Sequence, residues 1–249
     1  HMNLVSNVIQ CANWNVGSQR GKEIAMINLP LFHIYGQTVC MNYCIYAAAK
    51  LVLNPDPRDL PTLFSLIKQY KPTLFPGIPT LYMRLLQHAD MPKYQDAMKT
   101  IRIMNSGAAP LPPEVLKRFE EVTGGKIAEG YGLTECSPVT HSNPLYGLRK
   151  VGSVGMPFPD TEVKIVDLET STKELPLGEE GEVAIKGPQC MKGYWNKPEE
   201  TAKQIKKEIA GEPGPWVLTG DIGTMDDDGY FYIVDRKKDM IDVSGFKVY

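Results

Sequence analysis

Long apolar runs are missing from this chain: none approaches the roughly 18 residues that a membrane-crossing helix needs, and the first residues lack the charged-then-apolar order of a secretory signal. A surplus of basic residues is missing too. The 27 lysines and arginines stand against 29 aspartates and glutamates, for a formal net charge of -2, whereas phosphate-backbone binding leaves a basic footprint. No nucleic-acid partner is expected. Cysteine is sparse, and the five present (Cys11, Cys40, Cys44, Cys136, Cys190) form no C-x-x-C pair. An odd number also excludes a complete intramolecular disulfide framework, so a reducing, cytoplasmic setting fits best. Cys40 and Cys44 would share a helix face, but without a nearby histidine partner packed thiols are expected there. Internal repeats and low-complexity tracts are absent, as is G-x-x-x-x-G-K-[ST]. The series Gly130-x-Gly132-x-x-Glu135 lacks the third glycine of a dinucleotide fingerprint. No Ser-His-Asp or Cys-His constellation is legible.

What is present is ordinary in bulk and informative in order. With 249 residues, 43% hydrophobic and 22% charged, the chain can bury a core of its own. To about residue 150, short apolar runs ("EIAMINLP", "KLVLNP", "PTLFPG", "IRIMNSG", "KIAEGYG") alternate with segments of helical period. The runs read as buried strands. "PTLFSLIKQY" sets Leu63, Leu66, Ile67 and Tyr70 on one stripe, "PTLYMRLLQHA" repeats the pattern, and "PPEVLKRFEEVTGG" has prolines at its start and Gly124 as a stop. Strand then helix, repeated, gives an α/β fold with a helix-covered, mostly parallel sheet. After residue 150 the period becomes two: "TEVKIVD", "GEVAIKG", "WVLTGD" and "GYFYIVD" read as antiparallel strands of a small distorted barrel. Asp228-Gly229 marks a tight turn, and one helix is expected near "PEETAKQIKKEIAG". The expected division is an α/β portion over 1–150, the β-barrel over 151–236, and a short hinge over 237–249. Both ends read as lying inside a longer chain, because His1-Met2 is an odd start and "VSGFKVY" is a strand in progress.

Ligands of open parallel sheets sit at the carboxyl ends of strands. Two stretches follow strands of that kind, "NSGAAPL" and "EGYGLTE". Gly107, Ala108 and Ala109 offer a flat backbone strip and Tyr131, between Gly130 and Gly132, an aromatic face; the two can sandwich a planar ring. Thr134 adds a hydroxyl and Glu135 a hard oxygen ligand suited to magnesium beside a phosphate. A glycine-rich turn with one partly buried tyrosine fits the spacing equally well. Asp221, closing "LTGD", can accept from vicinal ribose hydroxyls with Arg236 close by, or the pair is a surface ion pair. His33, flanked by Phe32 and Tyr35, is by itself more often a packed residue than a functional one. "GTMDDDGYFYIVD" begins with Thr224 where a calcium loop needs aspartate, and is rejected as one.

Taken in order, "LPLFHIYG", "SGAAPL", "EGYGLTECSP", "GSVGMP", "GEVAIKGPQCMKGYWNKPEET", "WVLTGD" and "VDRKKDMIDVSGFKVY" resemble the adenylate-forming superfamily, most closely its long-chain fatty acid coenzyme A ligases. The resemblance spans nearly the whole chain. It implies ATP-dependent activation of a fatty acid to an acyl adenylate, with Mg2+, and transfer to coenzyme A. By the same resemblance Tyr131 is the adenine platform and Gly107 to Ala109 the opposite wall. Thr134 becomes an α-phosphate ligand and Glu135 the metal ligand. Asp221 holds the ribose with Arg236, Lys238 is the hinge of a mobile lid, and His33 stands between acyl pocket and thiol entry. The family's phosphate loop and lysine-bearing lid are not in the sequence, so these residues alone are expected to turn over little or nothing. Lys247 and Tyr249 would belong to the lid's first strand. Asp242 departs from the lysine or neutral residue of relatives and would oppose a nearby phosphate. Two other readings remain: an aryl- or aminoacyl-activating ligase of the same superfamily, and a non-catalytic adenine nucleotide binding module. The greasy substrate suggests weak peripheral contact with the inner membrane face, although no basic amphipathic helix supports it.

Overall fold

Thirteen residues with no helix-start signal nonetheless open the chain as a helix. In the computed structural model, which describes residues 1–237 and the backbone of 241–243 and 246–248, α1 (Met2–Trp14) has no side-chain N-cap, no acidic first turn and no basic last turn. Tertiary contacts hold it instead. Asn7 Nδ2 donates to Val139 O at 2.7 Å, Val139 N–H donates back to Asn7 Oδ1 at 3.0 Å, and Gln10 Nε2 reaches Pro159 O at 2.7 Å. Because Asn7 and Gln10 face inward beside Val8 and Cys11 while Met2, Val5 and Ile9 are exposed, the apolar stripe of this helix is interrupted.

The alternation that follows is the one the apolar runs predict. β1 (Ile24–Ile27) leads through a π-helical turn, Gly36–Asn42, into α2 (Tyr43–Tyr46) and β2 (Lys50–Leu53). Then come α3 (Leu60–Tyr70), β3 (Leu74–Gly77), α4 (Pro79–Gln87), α5 (Met91–Met98), β4 (Ile103–Ser106), α6 (Pro113–Thr123) and β5 (Lys126–Gly132). Strands β2, β1, β3, β4 and β5 lie side by side and parallel. Two strands not legible in the sequence, β6 (Val139–Ser142) and β7 (Met156–Pro157), extend the sheet antiparallel. Local chemistry sets the helix ends: Asp59 accepts the Thr62 N–H at 3.1 Å to start α3, and Gly124, at φ +73°, closes α6 where a side chain would be strained. The stripes face the sheet as expected, with Leu63, Ile67, Leu85 and Phe119 fully buried. Fully burying each such side chain stabilises by roughly 1.5–3 kcal/mol.

The second sheet is antiparallel. Its strands are β8 (Glu162–Val166), β9 (Gly181–Lys186), β10 (Ile205–Ile209), β11 (Glu212–Met225) and β12 (Phe231–Arg236), in the order β10-β11-β9-β8 with β12 also on β11. The helix expected near 198–211 is a correction. Only α7 (Pro198–Gln204) is helical; Ile205 to Ile209 pair with β11, Ile209 is fully buried, and Ala210-Gly211, at φ +51° and +80°, make the two-residue hairpin turn. Sheet pairing and a left-handed turn outweigh the helical propensity of "KQIKKEIA". The two sheets meet through Val154 N–H to Phe231 O at 2.9 Å and Phe231 N–H to Gly155 O at 3.0 Å. β13 (Ile241–Val243) and β14 (Phe246–Val248) form a separate antiparallel hairpin. Among the described residues no helix is long and apolar enough to cross a membrane.

Candidate active site

Strands β4 and β5 run parallel in register, Ser106 opposite Glu129, so the segments after them emerge side by side at the sheet's carboxyl edge. A cleft of about 1240 Å³ opens there, lined from the first sheet by Gly107 to Ala109 and by Gly130 to Glu135, and from the second by Thr219 to Asp221 and by Arg236. Glycine permits the close approach. A Cβ on Gly132 would lie 2.2 Å from Pro138 O.

Past β5 the chain makes one tight 3-10 turn, Thr134–Cys136, which leaves Thr134 exposed and Glu135 half-buried. Glu135 is held from both ends. Its carbonyl accepts the Met191 N–H at 2.7 Å, and its Oε1 accepts the Tyr194 hydroxyl at 2.7 Å. Burial, then the Glu135 carboxylate, push the Tyr194 phenol up to about 12, so it remains a donor across the neutral range.

Asp221 comes from a bulge. Between Leu218 and Ile222 four positions of β11 advance against only two of β9, and such irregularities re-aim side chains at sheet rims. Gly220 takes φ +75° within it. Asp221 accepts the Tyr131 hydroxyl at 2.5 Å, its N–H donates to Thr219 Oγ1 at 3.1 Å, and Arg236 Nε lies 3.4 Å from its Oδ1. Burial first, then the Asp221 charge, hold the Tyr131 phenol well above its ordinary range. Behind Tyr131 the ring of His141 lies at 5.7 Å, itself 4.8 Å from Phe231.

The cleft thus brings together Gly107, Ala108, Ala109, Gly130, Tyr131, Gly132, Thr134, Glu135, Asp221 and Arg236. His33 also borders it, from an exposed turn after β1, with Nδ1 accepting the Tyr35 N–H at 3.1 Å. Lys238 and Tyr249 lie outside the described residues, and of Asp242 and Lys247 only the strand backbone is described. Cys40 and Cys44 are buried free thiols, as expected.

Three wall residues carried no expected role. Tyr35 donates its hydroxyl to Asn105 O at 3.2 Å and flanks Gly107. Tyr194 sits inside the quoted "MKGYWNKP". Glu129, its carboxyl raised by burial, accepts the Leu111 and Gly152 N–H groups, each at 3.4 Å, and so ties two cleft-lining loops to β5. Each lies within a motif read for its neighbour, and only three-dimensional contact distinguishes it.

A family model described as AMP-binding enzyme matches residues 1–195. The chain belongs to that family. Within the AMP-binding enzymes, a long-chain-fatty-acid--CoA ligase of Bacillus subtilis (strain 168) is 46% identical over 249 residues, covering 100% of this chain and 42% of the relative. Its counterpart in Yersinia pestis is 39% identical over 251 residues, with the same coverage of 100% and 42%. Among solved structures, ATP-bound MatB from Rhodopseudomonas palustris superposes with a TM-score of 0.87 at 32% identity, over 100% of this chain and 46% of that one. The chain therefore spans less than half the length of these relatives. Tyr131 and Glu135 fall inside the AMP-binding match; Asp221 and Arg236 lie beyond residue 195 but within the whole-chain similarities.

Proposed function

We propose that these residues form the nucleotide-binding portion of an ATP-dependent long-chain fatty acid–coenzyme A ligase. The observation that carries the reading is the convergence on one cleft of an aromatic face, a backbone strip, a hydroxyl and two carboxylates drawn from two sheets. Two matched relatives bear that ligase name, and an ATP-bound structural neighbour of 32% identity supports a nucleotide ligand.

The chemistry sets the demand. Attack of a carboxylate on an α-phosphate joins two anions, so alignment and charge neutralisation matter more than a nucleophilic side chain. In this reading adenine lies between the Gly107–Ala109 strip and the Tyr131 ring, and the ribose hydroxyls donate to Asp221, with Arg236 completing that corner. Thr134, exposed at the turn, offers its hydroxyl to the α-phosphate. Glu135 suits magnesium: its Oε1 is fixed by Tyr194, and among the described residues Oε2 has no hydrogen-bond donor. In this reading the cation would be held largely by phosphate oxygens, with Glu135 as the protein ligand. Bound there, Mg2+ would neutralise charge as pyrophosphate leaves. His33 borders the same cleft, and in this reading marks where coenzyme A approaches the acyl carbonyl. Lys238 would serve as the hinge.

The test is pyrophosphate release by the full-length protein with palmitate, ATP and coenzyme A. Release that needs all three supports the reading. Release with aryl or amino acids but not with fatty acids would move the protein to another branch of the superfamily, and nucleotide binding without release would leave a binding module.

A further inference from the structure

Glu182 on β9 is 3% exposed, and an unpartnered carboxylate so placed is costly. Its partners show what it organises. Glu182 Oε1 accepts the Gly220 N–H at 3.1 Å; Oε2 accepts the Ser171 hydroxyl and the Lys237 ammonium, each at 2.8 Å. Gly220 belongs to the bulge where β11 loses its ladder with β9, so the carboxylate takes the place of the missing backbone acceptor. The carbonyl of the same residue closes the ring, because Lys237 N–H donates to Gly220 O at 2.8 Å.

The consequence lies one residue away on each strand. Gly220 precedes Asp221, and Lys237 follows Arg236; Asp221 and Arg236 face each other across β11 and β12. One buried carboxylate therefore fixes both immediate neighbours of the acid–guanidinium pair without touching the cleft, whose walls do not include Glu182. A buried ion pair is often no more stabilising than apolar packing of the same volume. What this one supplies is geometry.

We propose that Glu182 is a positioning residue that sets the Asp221–Arg236 pair for recognition of the ribose diol, acting through Gly220 and Lys237. The proposal rests on the ribose role given to Asp221 above. It is tested by the affinities of AMP and 2′,3′-dideoxy-AMP, measured by calorimetry on the protein and on its Glu182→Gln, Asp221→Ala and doubly substituted forms. A site built to bond hydroxyls should prefer AMP by about tenfold or more. Glu182→Gln should bring that ratio to within about threefold by weakening AMP alone, since a polar site loses preference when its acceptor is misplaced. The double substitution should then behave as Asp221→Ala does. A wild-type ratio retained in Glu182→Gln, or an equal loss for both nucleotides, overturns the proposal. A ratio near one in the unsubstituted protein overturns the ribose assignment itself, and this proposal with it. Should Glu182→Gln fail to fold, Lys237→Met, altered at a side chain 32% exposed, must lower the ratio in the same direction; an unchanged ratio there is equally decisive against it.

Discussion

The phenol of Tyr131 donates a 2.5 Å hydrogen bond to Asp221, 90 residues further along the chain. One residue ends a parallel strand of the first sheet and the other leaves a bulge in the second, so the bond crosses the line where the sheets meet. It makes the proposed base platform and the proposed ribose acceptor a single unit.

Separating ring from hydroxyl tests that unit. Tyr131→Phe keeps the aromatic face and frees Asp221 Oδ2, and should weaken AMP by about 1 kcal/mol, the worth of one hydrogen bond. Tyr131→Ala should lose roughly 1–3 kcal/mol as the stacking surface goes. Calorimetric titration reads both. Affinities unchanged in both variants would mean that this ring does not meet the base.

Glu135 should matter to chemistry more than to base recognition. Glu135→Gln is expected to reduce adenylation in the full-length protein by about 100-fold or more, in line with the loss of a group that stabilises developing charge. Its AMP affinity without magnesium should stay near that of the parent. Tyr194→Phe, which releases Glu135 Oε1, should raise the magnesium concentration needed for half-maximal rate by a smaller factor. A magnesium titration of initial rates checks both variants.

His141 gives a pH signature. Burial lowers its pKa from 6.5 to about 3, so between those values the unfolded chain binds a proton that the folded one does not. Stability contributed by the neutral ring is complete above 6.5 and falls as pH drops toward 3. Between pH 7 and pH 5 the loss from this one group is about 2 kcal/mol. His141→Phe should flatten that part of the stability–pH curve, as urea unfolding at the two pH values would show. An identical slope in the variant would place the acid sensitivity elsewhere.

The core should behave as its packing implies. Phe119 is fully buried, edge-on to Tyr82 at 4.9 Å. Phe119→Ala should cost about 3–5 kcal/mol in urea unfolding. A loss below 1 kcal/mol would show that the helical layer repacks freely.

The parallel half of the fold was legible because its strands are short apolar runs and its helices carry one-sided stripes, both dictated by burial against a sheet. α1 was not, since Asn7 and Gln10 turn inward to backbone partners more than a hundred residues away. β10 was hidden by helix-forming residues whose fate is decided by the turn at Ala210-Gly211. In the cleft, residues with chemistry on display (Tyr131, Glu135, Asp221) could be picked from motifs. Tyr194 and Glu182 could not, because what sets them apart is the groups they hold, and only the folded chain brings those partners within reach.

The most direct measurement is a crystal structure of the protein with a non-hydrolysable acyl-adenylate analogue. The account predicts the adenine between Gly107–Ala109 and the Tyr131 ring, with both ribose hydroxyls bonded to Asp221. An analogue seated outside this cleft, or one whose ribose turns away from Asp221, would contradict it.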